Sequence, residues 1–320
     1  MFSKAQLKTF SRLGQRGTLG VTLLEMAQSK ENLMVLSADL ANTSGLARFV
    51  SSCPEKFLNF GIAEMNMIIA AAGLAKEGFV PFTTTFANFA AMRSYEAIRL
   101  YMGYMKFNVK VVGMASGFSM SLFGNTHYAM EDLALMCAIP NLTVLSPADA
   151  LETQKCVQAA GEFMGPVYLR LSGGANNPIV YTEDYSFEIG KAIALKNGSD
   201  VALMATGSMV YAALEAAKIL EQSGISASVI NFHTVKPLDC QTVIQACKNH
   251  KLIVSLEEHS IVGGLGSEIA RVKSQTACSS RQVFIGVPDT FGKAGTYEYM
   301  LEQFRLTPGQ IADKITDELK

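Results

Sequence analysis

Short apolar runs alternate along the chain with longer segments in which apolar residues recur every three or four positions. Runs such as Leu33–Ala38 and Val109–Met114 are mostly apolar, which is typical of strands buried on both faces of a sheet. The segments Met65–Lys76 and Phe89–Met102 predict helices, and the first is apolar on nearly every face, so we expect it to be deeply buried. The alternation predicts parallel sheets flanked by helices.

The same alternation continues through the rest of the chain. The further predicted strands are Leu142–Leu145, Val167–Leu171, Asp200–Ala205, Ala227–Phe232, Leu252–Leu256 and Val283–Val287. Helices are predicted near residues 148–160, 208–224, 240–249, 265–274 and 297–305. Between the halves, the Gly-, Asn- and Pro-rich segment Ser172–Glu188 is typical of a linker. We therefore predict an α/β protein of two domains, residues 1–180 and 188–320, each a mainly parallel sheet flanked by helices.

Composition and charge exclude several classes of protein. The 320 residues include 27 Lys and Arg against 28 Asp and Glu, so neither a nucleic-acid binder nor a polybasic membrane anchor is expected. The most apolar run, Met67–Ala75, is too short to span a membrane. Six cysteines without a CxxC pair and four dispersed histidines predict no metal site on this chain. We expect a cytoplasmic protein with reduced thiols, whose basic N-terminal segment is a helix of the fold and not a targeting segment.

Three side chains in the first half are candidates for chemistry. Glu64 stands at the start of a very apolar helix, where a buried charge is costly unless it is paired or protonated. A carboxylate in a first helical turn is also explained by the helix dipole. Phe86 and Phe89 lie three residues apart, which suits either a plain core or a cradle for a flat heterocycle. The residues alone leave both alternatives open.

Several motifs, in this order, resemble the C-terminal half of transketolases. They are GIAEMNM, TTTFANF, NTHYAMEDLALMCAIPNLTVLSPAD, FHTVKPLD and EEHSIVGGLGS. The length matches that of the split-transketolase subunit that carries the pair of smaller domains. The resemblance implies a pyrimidine-binding domain followed by a transketolase C-terminal domain. Transketolases use thiamine diphosphate with Mg²⁺ or Ca²⁺, held through a GDG…N motif. No GDG occurs in this sequence. The resemblance therefore implies a partner, the N-terminal transketolase subunit carrying that motif, in an α2β2 assembly.

The resemblance also assigns residues to the cofactor. Glu64 matches the catalytic glutamate, which would bond N1′ of the aminopyrimidine. Phe86 and Phe89 match the aromatic pair that packs around the pyrimidine. Leu40 matches the bulky residue that imposes the bent shape of the cofactor, and Asp39 belongs to the same motif. The implied reaction moves a two-carbon ketol unit from a ketose to an aldose-type acceptor.

On the sugar side, the resemblance assigns a histidine and three arginines. His127 matches the catalytic histidine that faces the reacting sugar carbons. Arg170 and, less closely, Arg16 match arginines that bind the terminal phosphate of the acceptor, a task that suits a bidentate guanidinium. Arg93, beside the aromatic pair, is a further candidate for substrate binding.

The sequence departs from the family pattern mainly on the sugar side. Ala115 stands in place of a phosphate-binding histidine, and Leu122 and Phe123 stand in place of a Glu-Asp pair whose aspartate reads a sugar hydroxyl. Met92 stands in place of the tyrosine that follows the two phenylalanines on the cofactor side. Because phenylalanine accepts no hydrogen bond, these changes predict an unusual sugar substrate, unless residues of the partner chain compensate.

Two other functions remain as alternatives. The β subunit of 2-oxo acid dehydrogenases has the same two-domain organisation and a similar length, although the local motifs favour a transketolase. A non-catalytic subunit that only stabilises a partner enzyme would tolerate Glu64→Ala.

Overall fold

The computed structural model describes residues 3–173 and 176–320. Its helices are α1 (Lys4–Ala27), α2 (Ala47–Ser52), α3 (Glu64–Lys76), α4 (Tyr95–Ala97), α5 (Asp132–Ala138), α6 (Ala150–Glu162), α7 (Met209–Gln222), α8 (Cys240–Asn249), α9 (Leu265–Ser274), α10 (Tyr297–Gln303) and α11 (Pro308–Leu319). Its strands are β1 (Leu33–Ser37), β2 (Phe57–Asn59), β3 (Val80–Phe86), β4 (Lys110–Ser116), β5 (Thr143–Leu145), β6 (Val167–Ser172), β7 (Ile193–Lys196), β8 (Val201–Ala205), β9 (Ala227–Asn231), β10 (Thr234–Lys236), β11 (Leu252–Ser260) and β12 (Arg281–Val287). Residues 174–175 of the predicted linker and residues 1–2 of the predicted first domain lie outside the described residues.

The strands form two sheets of the predicted kind. The first has the order β10-β5-β6-β4-β3-β1-β2 and the second the order β12-β11-β8-β9-β7. All neighbouring strands run parallel except β10 against β5 and β7 against β9. Helices pack on the sheets over apolar clusters, as the buried runs of the sequence require. The predicted fold class is confirmed, and the predicted domain bounds, residues 1–180 and 188–320, stay a prediction.

One strand from the second half of the chain extends the first sheet. β10 pairs antiparallel with β5 through Thr234 and Leu145. A cluster of buried side chains also joins the halves, since Phe118 and Tyr128 pack with core residues of the second sheet such as Leu203 and Val254. The two halves therefore share an apolar interface.

The main strand that the apolar pattern does not predict is β3, although it lies inside the first sheet. It is buried along its whole length and pairs with β1 and β4. Pro81 and three successive threonines interrupt the apolar run, and proline is unusual inside a sheet because it cannot donate to the ladder. The threonine hydroxyl of Thr84 donates to Leu36 O at 3.1 Å, which compensates part of the polar burial.

The expected deep burial of the helix at 65–76 is wrong for the single chain. Helix α3 buries Met67, Ile68 and Ala71, but Met65 is 52% exposed and Ile69 40% exposed. One apolar face of the helix is thus exposed on the surface of this chain. The predicted helix at 89–102 is present as π-helical turns, Phe89–Arg93 and Ile98–Tyr104, on either side of α4.

The basic N-terminal segment forms a helix of the fold, as predicted. Helix α1 begins with a capping box between Ser3 and Gln6, bends at Gly14 (φ 60°), and buries Leu19 and Leu23. Within residues 3–173 and 176–320, no helix combines the length and the apolar character that crossing a membrane requires.

Candidate active site

Several of the predicted site residues lie where strands β1, β3 and β4 end. Ser37 of β1 pairs with Thr84 of β3, and Phe86 of β3 pairs with Met114 of β4, so these strands end at one edge of the sheet. In open parallel sheets, ligands bind at this carboxyl edge. Phe86 is the last residue of β3, and the helical turn that begins at Phe89 follows directly.

Glu64 is buried, and its carboxylate is paired. Helix α3 begins with this residue, so the side chain also lies in the first helical turn. Arg93 Nη1 donates to Glu64 Oε1 at 2.9 Å, with the Arg93 side chain 51% exposed and that of Glu64 only 7% exposed. An opposite charge compensates the desolvation of a buried carboxylate. The sequence left open whether a buried Glu64 is paired with a cation or protonated, and the structure contains the ion pair.

The aromatic pair and His127 form one cluster of rings beside Glu64. The ring centroids of Phe86 and Phe89 are 5.8 Å apart, and those of Phe89 and His127 are 5.4 Å apart, in edge-to-face arrangements. The guanidinium of Arg93 stacks over the Phe89 ring, with Cζ 3.8 Å from the centroid. Glu64 and the cluster of rings are thus connected through Arg93.

Asn88 connects the loop of His127 to the segment of Phe89. Its Nδ2 donates to Thr126 O at 2.7 Å, and Thr126 Oγ1 lies 2.9 Å from His127 Nδ1. Asn88 Oδ1 is buried and has no hydrogen-bond partner among the described residues. Asn88 was not among the predicted site residues, although a polar residue between Phe86 and Phe89 is a usable signal.

A cavity of about 690 Å³ adjoins this cluster and reaches the second half of the chain. Phe89, Met92 and Arg93 line one side, and residues around Pro288 and Phe291 line the other. Two acids, Glu131 and Asp289, are also in the lining. Burial raises the pKa of Glu131. The contribution of the second half was not predicted, because residues distant in sequence give no local signal for it.

The residues that depart from the family pattern lie near His127 or at the end of β4. Phe123 is 62% exposed, and its ring centroid lies 5.0 Å from that of His127. Leu122 is also exposed. Ala115, in β4, is buried with a φ of 54°, which is unusual for a residue with a β carbon. Phe123 thus presents an apolar ring to the histidine.

Asp39 and Leu40 lie at the same edge of the sheet, directly after β1. The Asp39 N–H donates to Asn59 Oδ1 at 3.0 Å, and the Leu40 N–H donates to Ser37 Oγ at 3.1 Å. Asp39 has a left-handed φ of 59°, so the turn there is held by side chains as well as by the backbone.

The structure does not bring Arg170 or Arg16 to the cavity. Arg170 is buried in an ion pair with Asp132, at 2.9 Å between Nε and Oδ2, and both its other hydrogen bonds go to backbone carbonyls. Arg16 lies half-buried on α1, and its Nη1 donates to Thr43 O at 3.4 Å. Burial lowers the pKa of Arg16. Neither residue is in the described lining of the cavity.

The arrangement fits the flat, nitrogen-containing end of thiamine diphosphate. A buried carboxylate provides a hydrogen-bond acceptor, and aromatic rings beside it provide a stacking surface. Within the described ranges, no group of three or more His, Cys, Asp or Glu side chains is placed to hold a metal ion.

Both halves of the chain match known protein domains, and two curated relatives match nearly its whole length. Residues 13–177 match the transketolase pyrimidine-binding domain, and residues 190–311 match the transketolase C-terminal domain. The chain is 39% identical to a putative transketolase C-terminal section of Methanocaldococcus jannaschii, over 96% of each chain. It is also 39% identical to a 6-deoxy-6-sulfo-D-fructose transketolase subunit of a Clostridium species, over 92% of this chain and 91% of that one.

A solved structure is similar over nearly the whole chain. It is a split-gene transketolase in an inactive β4 tetramer, with a TM-score of 0.87 and 40% identity, covering 96% of this chain and 98% of the other. Both domain matches, the order of the motifs and the cluster around Glu64 lead to one conclusion. This chain belongs to the transketolase family and corresponds to the C-terminal subunit of a split transketolase.

Proposed function

We propose that this chain supplies the pyrimidine side of a thiamine diphosphate site in a two-chain transketolase that transfers a two-carbon ketol unit from a ketose to an aldose-type acceptor. The observation that carries the proposal is the buried carboxylate of Glu64, which Arg93 connects to the ring of Phe89. Phe89 packs against Phe86 and lines a cavity large enough for a cofactor ring and a sugar. We place this activity in the cytoplasm, with the cysteines reduced.

The residues of this chain bind and orient the cofactor. Glu64 would hydrogen-bond the pyrimidine nitrogen N1′ and share one proton with it, and Phe86 and Phe89 would pack against the face of the pyrimidine. Leu40 would support the bent shape, and Asp39 would lie at the contact with the partner. When bound, thiamine diphosphate supplies a nucleophilic carbon and accepts the electron pair released when the ketose carbon–carbon bond breaks.

His127 would move protons on the sugar. Thr126 Oγ1 lies 2.9 Å from Nδ1, which fixes the ring. Nε2 makes no hydrogen bond in the part of the chain that the structure describes. It is therefore able to exchange a proton with a sugar hydroxyl, the usual task of a catalytic histidine near neutral pH.

The pyrophosphate and Mg²⁺ would be held by a second polypeptide. This sequence contains no GDG motif, and the similar split-gene transketolase made of β chains alone is described as inactive. We propose a partner N-terminal subunit carrying GDG…N and an α2β2 assembly. Calorimetry tests this: thiamine diphosphate with Mg²⁺ should bind tightly to the assembled pair and weakly to this chain alone. Tight binding to this chain alone would contradict the proposal.

The sugar substrate is proposed to be unusual. Ala115 and Phe123 remove two polar groups from the sugar side, and a relative at 39% identity acts on 6-deoxy-6-sulfo-D-fructose. A polar group lost from a site that reads a hydroxyl changes substrate choice strongly. The assay compares xylulose 5-phosphate plus ribose 5-phosphate with deoxy, sulfonated and branched sugars. Efficient turnover of the two phosphorylated pentoses by the assembled pair would remove this part of the proposal.

A further inference from the structure

Arg93 makes two contacts in the cofactor-free chain that the proposed function assigns to the cofactor. Its guanidinium donates to Glu64 Oε1 at 2.9 Å, and the same group stacks over the Phe89 ring at 3.8 Å. A guanidinium is planar, cationic and rich in N–H donors, so it stacks on aromatic rings and bonds carboxylates. An aminopyrimidine is also flat and also presents nitrogen atoms at its edge. Both groups would use one face of Phe89 and one carboxylate.

The two partners of the ion pair differ in their freedom to move. Glu64 is held at the start of α3 and is 7% exposed, whereas Arg93 is 51% exposed and lines the open cavity. The long arginine side chain can therefore turn into the cavity, while the carboxylate stays in place. Without Arg93, the buried carboxylate of the empty site would have no charged partner among the residues that the structure describes, which is costly.

We propose that Arg93 is a positioning residue that holds Glu64 and covers Phe89 until the pyrimidine of thiamine diphosphate displaces it. The inference rests on the proposed function. A side chain that competes with the cofactor lowers the apparent affinity of the chain for the cofactor, because the cofactor binds only the fraction of molecules in which the site is free. Removing the guanidinium should therefore tighten cofactor binding. A residue that only supports the fold, or that contacts the bound cofactor, would show no change or weaker binding.

The test uses the full chain assembled with its partner subunit and compares three variants. Arg93→Met keeps an unbranched side chain and removes the charge. Arg93→Lys keeps the charge but replaces the planar guanidinium with an ammonium group. Arg99→Met is the matched control, because Arg99 lies in a following helical segment and, among the described residues, pairs only with the exposed Glu96. The Kd of thiamine diphosphate is measured by calorimetry at fixed Mg²⁺. We expect Arg93→Met to bind about tenfold tighter, Arg93→Lys to lie between it and the wild type, and Arg99→Met to be unchanged.

A second measurement separates this inference from the proposed function. The melting temperature of this chain alone should fall in Arg93→Met. It should fall by less when Glu64→Gln is also present, because the neutral amide at position 64 needs no cation. If the wild-type assembly binds thiamine diphosphate but Arg93→Met binds it equally or more weakly, the inference is overturned while the proposed function stands. If Arg93→Met does not fold, the Kd of Arg93→Lys is compared with that of the wild type: tighter binding supports the inference, and equal or weaker binding overturns it. No cofactor binding by the wild-type assembly would overturn the proposed function itself.

Discussion

The Arg170 guanidinium and the Asp132 carboxylate form a buried ion pair, with Nε 2.9 Å from Oδ2 and side-chain exposures of 2% and 0%. Arg170 also donates to Ala129 O in the first half of the chain and to Glu258 O in the second. Tyr168 OH donates to the same carboxylate oxygen, at 2.9 Å from Asp132 Oδ2. The pair is thus placed at the junction of the two sheets.

Removing one partner of this pair should strongly destabilise the chain. We expect Arg170→Met to lower the free energy of unfolding by about 3–5 kcal/mol, because it leaves Asp132 buried and unpaired. Urea denaturation of the chain measures it. The double variant Arg170→Met with Asp132→Leu should recover part of the loss. A change below about 1 kcal/mol, the range typical of solvent-exposed ion pairs in general, would show that the buried pair does not support the fold.

The stacking surface predicts a loss of cofactor affinity without a loss of fold. Phe89→Ala in the assembled pair should weaken thiamine diphosphate binding by about tenfold, because a ring contact contributes about 1 kcal/mol beyond its buried area. Phe291→Ala, an exposed ring on the opposite side of the same cavity, is the control and should leave the Kd unchanged. Equal affinities of the two variants would contradict the assignment of Phe89 to the cofactor.

A buried histidine predicts loss of stability in acid. Burial lowers the pKa of His233 from 6.5 to about 4, and its Nε2 has no hydrogen-bond partner among the described residues. Between these values the unfolded chain binds the proton and the folded chain does not, so stability falls as the pH falls from 6.5 toward 4. In His233→Phe this loss should be smaller by up to about 3 kcal/mol, measured by urea denaturation across that range. An unchanged pH dependence would contradict the prediction.

The sugar side can be tested by restoring a polar group. Phe123→Asp should raise kcat/KM for xylulose 5-phosphate with ribose 5-phosphate by about tenfold or more, because a hydrogen-bond acceptor then faces the substrate beside His127. Phe123→Leu, which stays apolar, should bring no such gain. If both variants behave alike, the specificity of the sugar side comes from elsewhere, such as the partner chain.

The fold was largely predictable because its strands are buried on both faces. Runs such as those of β1 and β8 are entirely buried, and the sequence marks them clearly. The central strand β3 was not predicted, because Pro81 and the three threonines interrupt its apolar run and are typical of a loop. The exposed face of α3 at Met65 was not foreseen either, because apolar composition does not distinguish a core from a surface that another chain covers.

Only those site residues that lie in short sequence motifs could be predicted. Glu64 and the aromatic pair stand in short motifs, and the structure brings them together. The ion pair between Arg93 and Glu64 joins residues separated by 29 positions, and no local sequence pattern predicts it. Arg170 lies next to the motifs in sequence, but its environment is set by Asp132 and by the second half of the chain. Such contacts follow from tertiary packing alone.

The most direct test of the account is the ketol transfer rate of the assembled pair carrying Glu64→Gln. Glutamine keeps the shape of the side chain but cannot hold the charge, so we expect kcat to fall by about 10²–10⁴-fold with the assembly intact. Glu96→Gln, an exposed carboxylate in a neighbouring segment, should leave the rate unchanged. A Glu64→Gln assembly that transfers ketol units at the wild-type rate would contradict the central claim and would favour a non-catalytic subunit.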